Sequence, residues 1–303
     1  MNKDSFSEEK GIFTYFISAG NVDLHFMNYL SENSPDMSKL SRTFHTHAFT
    51  EIFCCPDEDY SVYVDNYQVT LKQGDFLIIP SGCSHIKDPD TDASWKSMLI
   101  TFEKRREKGG ADFYGEMREL FGNGKLLLIK GDKKLCESFE KISNVREKEL
   151  SPATFLEITS FFVKLFSAKH ELIGSYKQTD VLNIKEAFDF ERLFAIVNHN
   201  NKSKLTLTEA AKIMCVSERQ LTRYCRKFFG KSYYGIALDT QLKTAAYYLT
   251  YTDKSIEEIA EVINMNTTFT RNFTKLYNVT PSEYRKNTAV TNKPKPSPLA
   301  ISK

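Results

Sequence analysis

Two histidines and a glutamate lie close together in the N-terminal part of the chain, as His45, His47 and Glu51. Side chains two residues apart on a β-strand share a face, so we expect the two imidazoles to point the same way. Imidazole nitrogens and carboxylate oxygens are common ligands of divalent transition metals. The same groups can also hydrogen-bond a small molecule, so the spacing predicts a polar site without fixing its occupant.

A second segment, residues 74–85, reads Gly-Asp-Phe-Leu-Ile-Ile-Pro-Ser-Gly-Cys-Ser-His and ends at His85. Together the two segments resemble the signature motifs of the cupin fold, H-x-H-x3-E and G-x5-P-x-G-x2-H. The resemblance implies a small β-barrel whose interior brings His45, His47, Glu51 and His85 together. Two interpretations stay open: a metal site formed by these four residues, or a metal-free sensor pocket.

Aromatic residues near these segments could line such a pocket or belong to an ordinary core. The effector-pocket interpretation comprises His45, His47, Glu51, Phe53, Tyr63, His85 and Trp95. We therefore expect no certain cofactor, but either a divalent metal or a small-molecule effector in the N-terminal half. A metal-dependent cupin enzyme or sensor is the alternative function.

The most specific pattern lies in the C-terminal third, where one set of helix signals occurs twice. Thr206 with Glu209, and Ser255 with Glu258, both have the spacing of a capping box. The offset between the copies is 49 residues for these caps, for Ala211/Ala260 and for Val216/Met265. It falls to 48 for Leu221/Phe269, Arg223/Arg271, Lys227/Lys275 and Gly230/Asn278. The repeat predicts two helix-turn-helix units joined by a helix over 234–249.

Each predicted unit has a basic helix after its turn. Lys and Arg neutralise DNA phosphates, and Arg, Gln and Thr present donors and acceptors to base edges. The predicted DNA-binding residues are Arg219, Gln220, Thr222, Arg223, Arg226, Lys227, Thr267, Thr268, Arg271 and Lys275. Of these, Arg226, Lys227 and Lys275 are expected at phosphates. The alternative for each is a solvated face.

Residues 190–285 resemble the DNA-binding domain of the AraC/XylS family of transcription regulators. The resemblance rests on the S-I-x-E-I-A run at 255–260, the F-x-R-x-F core at 269–273 and the closing T-P-S-E-Y-R at 280–285. It implies a sequence-specific regulator of double-stranded DNA whose N-terminal half senses a ligand or a protein partner, or forms a homodimer. RNA polymerase would be a partner of an activator.

Several positions depart from that family's pattern. Cys215 and Asn264 stand where the two turns usually have glycine, Gln241 replaces an arginine of the linking helix, and the second turn is shorter. Asparagine tolerates the left-handed backbone region better than cysteine does. We therefore expect the first recognition helix to be the main reader of bases.

Charge separates the two halves. Residues 190–289 hold 15 Lys and Arg against 9 Asp and Glu, whereas residues 1–189 hold 23 against 30. A basic C-terminal third beside an acidic remainder is typical of a separate polyanion-binding domain.

The remaining elements give the architecture. Short alternating segments (12–17, 53–55, 62–64, 69–71, 76–79 and 98–102) predict strands, with a hairpin turn at Asp65-Asn66. Residues from about 112 onward read as helical. Ser151-Pro152 predicts a helix start, and the apolar stripe behind it could pack on its own domain or form a dimer contact.

The predicted fold is α+β and two-domain, with a cupin-like β-barrel and flanking helices before an all-α domain of two helix-turn-helix units. We place a sensing and dimerisation domain at 1–173, a linker at 174–189, the DNA-binding domain at 190–287 and a disordered tail at 288–303. No apolar run of about 18 residues occurs, and the six cysteines lack C-x-x-C spacing. We expect a cytoplasmic, non-enzymatic protein that does not enter membranes.

Overall fold

The structure is a computed structural model, and it describes part of the chain. The described residues are 12–29, 44–54, 59–65, 67–88, 96–106, 111–131, 133–145, 150–176, 189–191, 193–194, 196–197 and 205–291. They divide into an N-terminal unit, Met1–Lys39 with Thr46–Ala187, and a C-terminal unit, Leu40–His45 with Phe188–Lys303.

Two antiparallel sheets form the framework of the N-terminal unit. The strands are β1 (Ile12–Ala19), β2 (Val22–Tyr29), β3 (Thr50–Cys54), β4 (Tyr60–Val64), β5 (Tyr67–Leu71), β6 (Phe76–Ile79), β7 (His85–Lys87), β8 (Lys96–Lys104), β9 (Lys125–Ile129) and β10 (His170–Ser175). The larger sheet has the order β1-β2-β8-β3-β6-β9-β10, and the smaller has the order β5-β4-β7. Both sheets are needed for the polar site, because β3 belongs to one and β7 to the other.

Three helices cover one face of the larger sheet: α1 (Phe113–Phe121), α2 (Lys133–Ser143) and α3 (Pro152–Ser167). Ile52 and Cys54 of β3 face this helical layer, in one buried cluster with Phe139 of α2. Phe53, between them, enters a second cluster with residues of the smaller sheet. Because successive side chains of β3 point to opposite faces, the strand contributes to two cores, one on each side of the larger sheet.

Helix α3 begins as the sequence predicts. The Ser151 side chain accepts a hydrogen bond from the Thr154 N–H, and Pro152 occupies the first helical position. The apolar stripe behind it packs within its own unit: Ile158, Phe161, Phe162 and Leu165 are buried in the helical-layer core.

The N-terminal prediction is wrong in some respects. Within the described residues the two sheets remain separate ladders, so no closed barrel forms. Strands β2, β7, β9 and β10 were not predicted. Gly174 and Ser175, placed in the linker by the sequence, lie in β10, where they pair with β9.

The C-terminal unit is helical. Its elements are α4 (Leu207–Ile213), α5 (Glu218–Phe229), α6 (Tyr233–Tyr251), α7 (Ile256–Val262), α8 (Phe269–Tyr277) and α9 (Pro281–Thr291). Helical residues between 189 and 197 precede them, and there Phe190, Leu193, Phe194 and Val197 are buried. Because α9 continues to Thr291, residues 288–291 are helical, although they were predicted to belong to the tail.

Other predictions cannot be compared with the structure. Residues 177–188 of the linker, residues 292–303 of the tail and Trp95 of the pocket lie outside the described residues. Within the part that is described, the structure contains no helix long and apolar enough to cross a membrane.

Candidate nucleic-acid interface and buried polar cluster

The first helix-turn-helix unit comprises α4 and α5. The predicted capping box is present: the Glu209 N–H donates to the Thr206 hydroxyl, and the Thr206 N–H donates to the Glu209 carboxylate. Helix α5 begins after Ser217, whose side chain accepts from the Gln220 N–H at 3.2 Å. It ends at Gly230 in the left-handed conformation, with φ 65°. The predicted capping box and the predicted helix end at Gly230 are therefore confirmed.

Helix α5 presents one basic stripe to solvent. Leu221 and Cys225 are fully buried against α4 and the preceding helical residues. Arg219, Arg223 and Arg226, spaced i, i+4 and i+7, are exposed on the opposite side. The guanidinium groups thus form a row along the helix, which suits contact with a polyanion.

The side chains beside this row differ in their exposure and in their contacts. Gln220 is half-buried, and its Nε2 donates to the Tyr224 hydroxyl at 3.1 Å. The Thr222 hydroxyl donates to the Glu218 carbonyl of its own helix at 2.8 Å. Lys227 is exposed, and its Nζ lies 5.7 Å from the centroid of the Phe228 ring. Of the predicted base readers in α5, the two arginines are the more accessible.

The second unit repeats the first as far as its turn. Ser255 and Glu258 form a capping box, and Asn278 ends α8 in the left-handed conformation. Phe269 and Phe273 are buried, while Arg271 and Lys275 are exposed on the other side of α8. Thr267 and Thr268 lie in the turn before α8, so the structure places them outside the recognition helix.

A substituted residue of the linking helix fixes the second turn. Gln241 of α6 donates from Nε2 to the carbonyl of Ile263, the C-cap of α7, at 2.9 Å. This bond satisfies one of the carbonyl groups that the end of an α-helix leaves unpaired. Gln241 therefore has a structural role in holding α7, which the sequence comparison did not reveal.

Comparisons with known proteins agree with this geometry. Residues 210–287 match a family model described as a helix-turn-helix domain. This domain is of the AraC type. The chain is accordingly a DNA-binding transcription regulator.

Solved structures give weaker likenesses. The C-terminal domain of AraT, a response regulator from Geobacillus stearothermophilus, is 30% identical and covers 32% of this chain and 83% of its own, with a TM-score of 0.30. The DNA-binding domain of AdpA, in complex with a target DNA, is 17% identical and covers 34% and 94%, with a TM-score of 0.32. ToxT from Vibrio cholerae is 14% identical and covers 91% and 98%, with a TM-score of 0.33. No curated protein matches the chain.

The N-terminal unit holds a buried polar cluster, which we define as His47, Glu51, His85 and Lys87. Glu51 Oε2 lies 2.8 Å from His85 Nε2 and 3.7 Å from His47 Nε2. The other carboxylate oxygen, Oε1, accepts from Lys87 Nζ at 3.0 Å. The side chains of Glu51, His85 and Lys87 are at most 4% exposed, so these charges interact in a medium of low polarity.

The sequence missed Lys87, although a signal for it was present. His85 and Lys87 are two residues apart on β7 and therefore share a face. The strand is short enough that no alternating pattern predicts it. Lys87 pairs with Val62 in the β4–β7 ladder, and its ammonium group also lies over the ring of Phe53.

One expectation about the histidines is wrong. His45 and His47 precede β3, which begins at Thr50, so they do not share a strand face. Hydrogen bonds from the segment before β7 hold the segment before β3 instead: the Gly82 N–H donates to the His47 carbonyl, and the Ser81 hydroxyl donates to the Ala48 carbonyl. His45 is buried and belongs to the segment Leu40–His45 of the C-terminal unit. The N-terminal unit thus brings together His47, Glu51 and His85.

The other predicted pocket residues have core positions. Phe53 is fully buried in the cluster between the sheets. Tyr63 is buried, and its hydroxyl accepts from Gln68 Nε2 at 3.2 Å.

The charges of the cluster depend on one another. Burial alone would raise the pKa of Glu51, but the positive charge of Lys87 and the His85 contact hold that pKa well below its ordinary value. Burial lowers the pKa of His85 and of Lys87, and Glu51 opposes both shifts. Glu51 is therefore the ionised centre around which the other groups are arranged.

His85 lies between two hydrogen-bond acceptors. Its Nδ1 is 3.1 Å from the Cys83 carbonyl, and its Nε2 faces the Glu51 carboxylate. A neutral imidazole has one N–H and can donate to one of these acceptors only. Either a second proton on His85 or a cation bound at Nε2 satisfies both contacts.

Proposed function

We propose that this DNA-binding regulator reads its target mainly through α5, with α8 as the weaker partner. The observation that carries the proposal is the exposed row of Arg219, Arg223 and Arg226 opposite a buried apolar face. Arginine reads guanine by paired hydrogen bonds to its major-groove edge, so such a row can combine base and phosphate contacts.

Individual roles follow from the position of each side chain. Arg219, Gln220 and Arg223 are assigned to bases, with Thr222 beside them, and Arg226 and Lys227 to phosphates at the end of α5. In the second unit, Arg271 is assigned to bases and Lys275 to phosphate, while Thr267 and Thr268 contribute from the preceding turn. Exposed Arg271 and Lys275 on one side of α8 support this division.

The experiment begins with selection of bound sequences from a random duplex library by the full-length protein. Binding of the selected duplex and of an unrelated duplex is then measured by fluorescence anisotropy for Arg223→Ala. Lys243→Ala is the matched control, because Lys243 is an exposed cation of α6 that pairs with Asp239. Loss of preference in Arg223→Ala alone supports the proposal, whereas equal behaviour of both variants contradicts it.

We assign the N-terminal unit the sensing role, with the buried polar cluster as the position at which a small-molecule effector acts. The cluster supports this assignment because buried ionised groups need partners, and a bound ligand can supply or replace one. A homodimer is part of the proposal. It is supported by the exposed Leu156 and Val163 on α3, since Ile158, Phe161, Phe162 and Leu165 of the same helix are buried. RNA polymerase is the expected partner if the regulator activates transcription.

A divalent transition metal is the second candidate for the cluster, and the contacts of His85 favour it. Ligands bound about 2.0–2.2 Å from a tetrahedral or octahedral ion lie about 3 Å or slightly more from one another. The 2.8 and 3.7 Å separations from Glu51 Oε2 to His85 and His47 are close to that range. The Cys83 carbonyl and Lys87 would then act as partners that orient His85 and Glu51.

Metal binding can be measured without any assumption about the regulated gene. Zn²⁺, Mn²⁺, Ni²⁺ and Fe²⁺ are titrated separately into metal-free full-length protein by calorimetry, and bound metal is quantified by elemental analysis after gel filtration. One ion per chain for the parent, and none for His85→Gln, supports the metal interpretation. Equal binding by both proteins contradicts it.

A further inference from the structure

A pair of cysteines lies inside the N-terminal unit, apart from the polar cluster. Cys54 ends β3, and Cys136 lies in α2, 82 residues later in the chain. Their Sγ atoms are 3.5 Å apart, and the residues are 1% and 7% exposed. Two sulfurs from distant parts of the chain are therefore in contact where the larger sheet meets its helical layer.

The geometry allows a covalent bond after a small movement. A disulfide has sulfur atoms about 2.05 Å apart, so the two atoms need to approach by about 1.5 Å. Rotation about the side-chain bonds can provide such a shift. The Cys136 S–H also donates to the Gly74 carbonyl at 3.3 Å, just before β6, whose Phe76 pairs with Cys54 of β3.

We propose that Cys54 and Cys136 form an oxidisable dithiol that closes to a disulfide in the presence of a peroxide. The Cys136 sulfur, which is the more accessible, attacks one peroxide oxygen as the O–O bond breaks. This step gives a sulfenic acid on Cys136 and one molecule of water. The Cys54 sulfur then attacks the Cys136 sulfur, and the sulfenic hydroxyl leaves as a second water with the Cys54 proton. The balance is two thiols and hydrogen peroxide to one disulfide and two waters.

The other described cysteines provide internal comparisons. Burial raises the pKa of Cys83 to about 12 and that of Cys225 to about 11. Cys215 is exposed and can link two chains. Replacing Cys215 by serine removes that reaction and leaves the N-terminal pair unchanged.

The disulfide would join β3 to α2 and reduce the number of conformations open to the unfolded chain. Glu51 lies on β3 three residues before Cys54, so the same strand carries both the cluster carboxylate and the oxidisable sulfur. We expect oxidation to raise the melting temperature of the N-terminal unit by about 5 °C, a shift reversed by dithiothreitol.

The test uses full-length protein with Cys215→Ser as the parent. The parent, Cys136→Ala, Cys54→Ala and Cys55→Ala are treated with hydrogen peroxide at a small molar excess. Intact mass and free-thiol content are measured before and after reduction, and melting curves show that each variant is folded. Cys55→Ala is the matched control, because Cys55 is the sequence neighbour of Cys54 and takes no part in the proposed bond.

The expected result is loss of two hydrogens and two thiols per chain in the parent and in Cys55→Ala. Neither Cys136→Ala nor Cys54→Ala should form an intramolecular disulfide. The proposal is overturned if the parent gains oxygen instead of losing hydrogen, or if Cys55→Ala fails while Cys54→Ala still closes.

Discussion

The two helix-turn-helix units have nearly the same turn and different helices after it. In the first turn the Val216 N–H donates to the Ala211 carbonyl at 3.0 Å, and in the second the Met265 N–H donates to the Ala260 carbonyl at 2.8 Å. The residue before each donor is left-handed: Cys215 has φ 56° and Asn264 has φ 55°. The turn geometry is thus conserved between the copies by backbone hydrogen bonding.

The difference begins at the recognition helix. Helix α5 starts at Glu218 with a side-chain cap from Ser217, whereas α8 starts at Phe269 after Thr268, which provides no side-chain cap. By the 48-residue offset α8 would start at Asn266, but residues 266–268 form a turn. The second unit has one residue fewer after its inter-helix turn, and its recognition helix lacks the first helical turn that α5 has.

The largest expected effect separates the two recognition helices. Arg223→Ala should weaken specific DNA binding by about 1–3 kcal/mol, because it removes a directed contact to one base pair. Arg271→Ala, the equivalent change at offset 48, should cost less than about 1 kcal/mol, because α8 is proposed as the weaker reader. Anisotropy titrations with the selected duplex and its single-position variants measure both. Equal losses would contradict the unequal roles of α5 and α8.

Next in size is the effect of the helix caps. Ser217→Ala removes the bond to the Gln220 N–H and should lower the free energy of unfolding by about 1 kcal/mol. Thr268→Ala removes no cap bond and should change it by a few tenths of a kcal/mol at most. Urea unfolding followed by circular dichroism provides the comparison. A comparable loss in both variants would show that Thr268 caps α8 in solution.

Substitutions in the two turns should have an effect of similar size and opposite sign. Cys215→Gly should stabilise the protein by about 1 kcal/mol, since glycine adopts a positive φ without the steric cost of a Cβ. Asn264→Gly should be close to neutral, because asparagine tolerates the left-handed region. Urea unfolding of the two glycine variants measures both changes in the free energy of unfolding. A destabilised Cys215→Gly would exclude backbone strain at that turn.

The smallest change concerns phosphate contacts. Lys227→Ala should weaken binding to all sequences alike and reduce the slope of log affinity against log salt by about one. Lys275→Ala should do the same if its position in α8 also faces the backbone. Salt titrations between low and moderate ionic strength measure the slopes. An unaltered slope in either variant removes that lysine from the interface.

The C-terminal half was predictable because its signals are local. Capping boxes such as Thr206 with Glu209 act within one turn, and Gly230 marks a helix end without reference to distant residues. The absence of the first helical turn of α8 was harder to predict. The one-residue slip was visible in the sequence, but its structural consequence depends on how Phe269 packs in the second unit.

The N-terminal half was less predictable because its strands depend on pairing across long sequence separations. Strand β9 is a short apolar run between two helices and reads equally well as a buried helix segment, whereas β10 is polar. In the polar cluster, His47, Glu51 and His85 were predicted from their motif. Lys87 was missed because β7 has only three residues, too few for an alternating pattern to predict a strand.

The uncapped entry to α8 also has a thermodynamic consequence. Residues 266–268 can extend the helix only when another group satisfies their amide hydrogens, and DNA phosphates can accept those bonds. Ordering three residues at the moment of binding makes the association entropy of the second unit more negative than that of the first. The contribution of the second unit to the affinity should therefore decline faster on warming than that of the first. Calorimetry at several temperatures would distinguish a recognition helix that is formed before binding from one that is completed on the DNA.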